Sequence, residues 1–175
     1  MTQDEGWIRP PDGLALPANA TEMAAAGAAL GETLLKRHGR MELACIVMVD
    51  KAGHLGEVLF DIPERKKDLA ALIDRLTTDM KSHGVVCYAF MMEAWFRGVA
   101  RAGLAAALKT PVSQSPDRRE ALLVLAQSQT EDIHMALPLL RDAEGQFLGL
   151  GRNILRIGQK SGIPFGSLLR PITMH

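Results

Sequence analysis

The sequence predicts an α+β domain, a mainly antiparallel sheet with an N-terminal helix and one long amphipathic helix packed on it. Three observations carry that expectation. Residues 41–60 read as two β-like runs joined by Asp50-Lys51-Ala52-Gly53, a favourable turn. Residues 63–82 repeat apolar side chains at helical spacing. Residues 85–96 are too apolar for a half-exposed strand and suit a central one covered on both faces. The expected order is α-β-β-α-β-(α)-β-β-β, in a single domain over residues 1–175.

Taken in order, residues 1–17 hold Pro10, Pro11 and Pro17 and read as an irregular arm. Asn19 or Thr21 can cap a helix running to about Arg37, and Gly39 suits its left-handed stop. Met23, Gly27, Leu30 and Leu34 share a face, while Gly27 and Gly31 form a GxxxG pair. In lipid that spacing suggests helix pairing; in a soluble chain it lets a helix lie close on a sheet. Met41–Val49 and His54–Phe60 form the hairpin strands. Pro63 opens the amphipathic helix, whose Leu69, Leu72, Ile73, Leu76 and Met80 line one face, and His83-Gly84 ends it. The stretch 98–110 is a short helix or an excursion, its alanines favouring helix and Gly98 and Gly103 opposing it. Ser115 and Pro116 resemble a helix start. The alternation beyond them, and the Asp142-Ala143-Glu144-Gly145 turn, favour strands at about 120–128, 132–141 and 146–151 instead. Residues 152–175 read as an extended C-terminal segment.

Twenty basic and twenty acidic residues cancel, so total charge points to neither nucleic acid nor membrane. From Gly145 onward, however, there are four basic residues (Arg152, Arg156, Lys160, Arg170) and no acidic one. That asymmetry could mark an anion site or a surface for an acidic partner, but a solvated tail is the favoured reading. Past residue 151 that tail has only Phe165 for base stacking, so nucleic acid has little support. Cys45 and Cys87 sit inside apolar runs with no CxxC spacing, which suits a reducing, cytoplasmic setting. The N-terminus carries acidic residues where a signal peptide needs basic ones. The small-residue run 24–35 is too short to span a bilayer, so a soluble protein is expected.

Several chemistries are excluded by their missing motifs. Zinc deaminases need H-x-E on one helix and P-C-x-x-C on another, to supply three ligands and a proton-carrying glutamate; neither is present. HExxH, G-x-S-x-G and GxxxxGK[ST] are also absent. His54 and Glu57 fall on opposite parity of one strand and read as surface residues. Gly149-Leu150-Gly151-Arg152-Asn153 could offer amides and Arg152 to an anion, though a bulge or strand end explains the glycines better. No metal site and no cofactor is called for.

That leaves Glu93, a carboxylate near the end of the otherwise uncharged run Val85–Phe96. On a regular strand it shares a face with Cys87, Ala89, Met91 and Trp95. A buried carboxylate must find a cation or take up a proton. Arg97, Arg118 and Arg119 are the candidate partners, arginine being suited to bidentate pairing. A catalytic reading makes Glu93 an acid or base, with His134 sharing the work and an arginine holding an anionic substrate. The structural reading, favoured, is that an arginine closes Glu93 off at the strand's exit.

Glu93-Ala94-Trp95, followed by Ser113-Gln114-Ser115-Pro116-Asp117-Arg118-Arg119-Glu120 and an apolar strand, resembles a group of small uncharacterised bacterial proteins. The resemblance covers roughly residues 85–140, supports strand after PDRRE, and implies no mechanism, cofactor or partner. The leading functional expectation is a non-catalytic binding or assembly module. Its partners would be a second copy, another protein or a small anionic ligand. The alternative is a small hydrolase-like enzyme using Glu93, with Arg118 and Arg119 on the substrate.

Overall fold

The computed structural model describes residues 7–97, 109, 111, 114–155, 165 and 168–169. In chain order the elements are β1 (Trp7–Ile8), α1 (Ala20–His38), β2 (Ala44–Asp50), β3 (Leu55–Phe60), α2 (Lys66–Ser82), β4 (Val85–Phe96), β5 (Arg119–Ser128), β6 (Asp132–Arg141) and β7 (Phe147–Leu150). Among the described residues the strands form one sheet in the order β1-β3-β2-β4-β5-β6-β7, antiparallel at every junction. The α+β expectation with an antiparallel sheet is met. The expected excursion at 98–110 lies outside the described residues apart from Lys109.

The N-terminal arm departs from the irregular reading. Trp7 and Ile8 pair with Gly56 and Leu55 and form an edge strand. The reason lies across the ladder: Gly56 has no side chain, and the Trp7 ring fills that space, so that a Cβ at Gly56 would stand 3.0 Å from the ring. The Trp7 ring also stacks on His83, ring centroids 5.1 Å apart. Two residues are too few for a periodicity to show in sequence.

Helix α1 begins where Asn19 Oδ1 accepts the Glu22 N–H at 2.8 Å and the Glu22 carboxylate accepts the Ala18 N–H at 2.8 Å. It ends at Gly39, whose φ of 77° allows its N–H to reach the Leu35 carbonyl at 2.8 Å. The buried stripe is Met23, Ala24, Gly27, Gly31 and Leu35, with Leu30 and Leu34 half-buried beside it. That is a shift from the expected Met23-Gly27-Leu30-Leu34 face. The two glycines let the helix axis approach the sheet, so they, rather than the leucines, mark the line of closest contact. A Cβ at Gly27 would stand 2.9 Å from Ala89 Cβ, and one at Gly31 would stand 2.6 Å from Leu122 Cδ2. The sheet-packing reading of GxxxG is the one the structure adopts.

The sheet therefore separates two cores. On the α1 side lie Cys45, Val49, Cys87, Ala89, Met91, Leu122, Val124, Ala126 and Leu137. On the other side α2 lays Leu72, Leu76 and Met80 over Ile46, Met48, Tyr88, Phe90 and Leu125, with Phe165 and Leu168 of the C-terminal segment joining them. From Cys87 onward, alternation along β4 sends odd-numbered residues to α1 and even-numbered ones to α2, while Val85 and Val86, beside the register shift at Val49/Asp50, are reversed. Beyond β7, the strand edge is sealed rather than left open. Gly151 and Ile154 donate to the Pro138 and Ala136 carbonyls, and Asn153 Oδ1 accepts the Ala136 N–H at 2.9 Å. The GLGRN stretch is thus a strand end with a bulge at Leu140/Arg141 beside it.

Candidate functional site

Glu93 falls on the α1 face, opposite Leu122, at the end of the sheet where α1 stops. Its carboxylate accepts the Met41 N–H at 3.0 Å and one N–H of Arg141 at 3.3 Å. Arg141 ends β6 and also donates Nε–H to Glu120 at 2.5 Å, and its remaining terminal nitrogen reaches the Gly39 carbonyl at 2.8 Å and the Gly145 carbonyl at 3.2 Å. A guanidinium has five N–H donors. Here all three nitrogens are engaged, by two carboxylates and two carbonyls. The side chains of Arg141, Glu93 and Glu120 are 21, 17 and 26% exposed. This node ties four separate parts of the chain together: the end of α1, β4, β5 and the β6–β7 turn.

The partner of Glu93 is therefore Arg141, in place of Arg97, Arg118 or Arg119. The register explains why. On β5, Glu120 and Leu122 share the Glu93 face, whereas Arg119 stands opposite Phe96 and points to the α2 side. Arg118 is in the turn before β5, where its N–H bonds the Ser115 carbonyl, and its guanidinium lies 4.8 Å from the centre of the Trp95 ring. Arg97 follows β4 directly. Arg152 is exposed past β7, on the far side of β5 and β6 from Glu93. His134 stands opposite Leu125, which stands opposite Phe90, so it belongs to the α2 face. Glu93 and His134 are on opposite sides of the sheet, so no shared proton relay joins them.

Arg141, the residue that joins Glu93 to Glu120, is absent from the candidates the sequence offers. It closes an apolar strand run, as Glu93 does, and the short β5–β6 turn places it near Glu120 on one face. That signal was available; the β4–β5 register that brings Glu93 alongside was not.

Two clefts meet beside this node. One, of about 400 Å³, is lined by Arg40, Met41, Glu42, Glu93, Trp95 and Glu120. The second, of about 360 Å³, shares Arg40, Met41 and Glu42 and continues to Leu34, His38, Leu43 and Leu59. Trp95 is 44% and Leu59 54% exposed, so the joined surface mixes apolar groups with charge. Arg40 and Glu42 pair at 2.6 Å across its middle.

The remaining ionisable groups with shifted behaviour are elsewhere. Burial pushes the Cys45 thiol up to about 12, helped by the charge and hydrogen bond of Glu57, 3.6 Å away. Burial, with the Glu22 charge, pushes Cys87 up to about 11. Both are free thiols and stay protonated at neutral pH. At Asp50, burial opposes ionisation, yet the N–H groups of His54 and Ala52 and the His54 ring outweigh it and hold the carboxyl below its ordinary range. Among the described residues no group of three or more His, Cys, Asp or Glu could hold a metal ion, and no helix is long and apolar enough to cross a membrane. No family model matches the chain, and no curated protein or solved structure matches it.

Proposed function

We propose that this chain is a non-catalytic binding or assembly module whose docking surface is the joined patch around Arg40–Leu43, with Trp95 and Leu59 as its apolar anchors. The observation that carries this reading is the commitment of Glu93. Its carboxylate holds Arg141 and the Met41 N–H, and the guanidinium that would otherwise hold an anionic substrate is engaged by Glu120 and two carbonyls. The node shapes the patch without offering a poised acid or base. Exposed aromatic and aliphatic groups rimmed by charge are the composition of an interface. A second copy is the partner this reading tests first, and a reducing, cytoplasmic setting belongs to it.

One observation favours a second reading, a small hydrolase-like enzyme: Glu93 and Glu120 both line the 400 Å³ cleft. Such an enzyme would rely on Arg118 for an anionic substrate, because Arg119 faces the other side of the sheet. Sedimentation velocity over a wide concentration range separates the two. Assembly is expected to give species heavier than 19.0 kDa that Leu59→Glu or Trp95→Glu returns to the single-chain mass. A 19.0 kDa species at every concentration removes self-assembly as the function.

A further inference from the structure

The α2 face contains two polar side chains where an apolar core would be expected. Tyr88 and Gln127 stand directly opposite each other on β4 and β5, 0 and 1% exposed. Buried polar groups need partners, and theirs are backbone atoms of the C-terminal segment. The Tyr88 hydroxyl donates to the Phe165 carbonyl at 2.8 Å and accepts the Leu168 N–H at 3.0 Å. Gln127 Oε1 accepts the Leu169 N–H at 2.7 Å and lies 3.3 Å from the Tyr88 oxygen. Gln127 is itself held by Asp132, its Nε2–H reaching Oδ1 at 2.9 Å. The Phe165 ring stacks on Phe90 with centroids 4.5 Å apart and planes 5° apart, and Phe60 closes on it at 5.6 Å. Leu168 is buried in the same core.

We infer that this seat is a peptide-recognition groove, and that its ligand is a peptide bearing an aromatic residue followed three and four positions later by leucines. Phe165, Leu168 and Leu169 of this chain are its resident occupants. The Tyr88–Gln127 pair reads the segment's main chain, while the aromatic stack and the Leu168 seat read side chains. These are the two halves of peptide recognition, affinity from backbone bonds and selection from pockets. A tail that merely covered apolar surface would need neither buried polar group. The three backbone bonds to Phe165, Leu168 and Leu169 fall within five residues, so a peptide of the same pattern can make them when it belongs to another molecule. The groove is on the opposite side of the sheet from the proposed docking patch, and the inference does not depend on it.

The test uses the full chain with a specific protease site introduced between residues 157 and 163 and cut after purification. A fluorescein-labelled peptide of residues 161–175 is then added and followed by anisotropy. The expected result is saturable exchange into the cut protein. The Phe165→Ala peptide should bind at least about ten-fold more weakly, and Tyr88→Phe in the protein should weaken the parent peptide similarly. No saturable exchange, or equal binding of parent and Phe165→Ala peptides, overturns the proposal. If cutting unfolds the protein, amide hydrogen exchange on the intact chain decides: Tyr88→Phe should raise exchange at Leu168 at least about ten-fold, and unchanged protection there overturns it.

Discussion

Arg141 shows how one side chain can set the local electrostatics of a whole sheet end. Removing it leaves Glu93 and Glu120 facing each other, mostly withdrawn from water. Breaking a buried pair in this way costs about 3–5 kcal/mol, and the residual exposure of these groups reduces that to roughly 2–3 kcal/mol by solvent screening. Arg141→Met is thus expected to lower urea-unfolding stability at pH 7 by that amount. Glu93→Gln keeps an acceptor for Met41 and should cost less, about 1–2 kcal/mol. A double-mutant cycle that showed no coupling would mean the ion pair is incidental. Asp50 gives a second residue-level expectation. Its carboxyl is held below its ordinary range by the turn it organises, so ionised Asp50 stabilises the fold above the unfolded-state value near ~3.9. That contribution is lost as pH falls through the folded-state value. Asp50→Asn should therefore flatten the acid limb of a stability–pH curve, measured by denaturant unfolding from pH 6 downward; an unchanged limb would place the acid sensitivity elsewhere. At this scale the sequence pointed to Glu93 because a lone charge in an apolar run demands a partner. Arg97, Arg118 and Arg119 are nearer to Glu93 in sequence than Arg141, but strand parity sends Arg119 to the other face, and pairing across β5 and β6 brings Arg141 in.

Among the elements, legibility followed periodicity and turn chemistry. The β2–β3 and β5–β6 hairpins and α2 each carry a repeating pattern or a short turn, and they form within a few residues of where the pattern puts them. Strand β1 was not legible, since it is defined by a glycine on a distant strand that accepts Trp7. The β4–β5 register was not legible either, because Phe96 and Arg119 are far apart in sequence and the intervening residue pattern does not set which positions pair. Helix α1 lies between these cases: the glycine pair announced a close approach, yet the leucines suggested the wrong centre for the buried stripe. The approach distance supplies a test. Gly27→Ala brings a methyl to 2.9 Å from Ala89 Cβ, on a backbone that cannot yield without lifting the helix. Overpacking costs about 1–3 kcal/mol, against a helix-propensity gain of about 1 kcal/mol. A net loss of up to about 2 kcal/mol in chemical denaturation is expected, and a stabilised Gly27→Ala protein would show that α1 sits farther from the sheet.

On the scale of the whole molecule, a single sheet serves two cores, so neither face can open without exposing the central strands β2 and β4. Cys45 and Cys87 report on that opening, one on each of those strands and both fully buried. In the native state their thiols are protonated and shielded, with values pushed up to about 12 and about 11 from 9.0. Alkylation by iodoacetamide at pH 8 should consequently be slow, should proceed through global rather than local opening, and should track unfolding stability as urea is added. The same shifts have a sign under alkaline conditions. A thiol whose folded value is raised favours the native state fully below its unfolded value near 9, and that advantage is lost as pH rises from 9 toward 11 and 12. Unfolding stability should therefore fall across that window, and the Cys45→Ala, Cys87→Ala double variant should remove part of the slope. Rapid labelling of either cysteine in the absence of denaturant would show that the α1 face opens by itself, which the continuous packing of α1 over β4 and β5 does not permit.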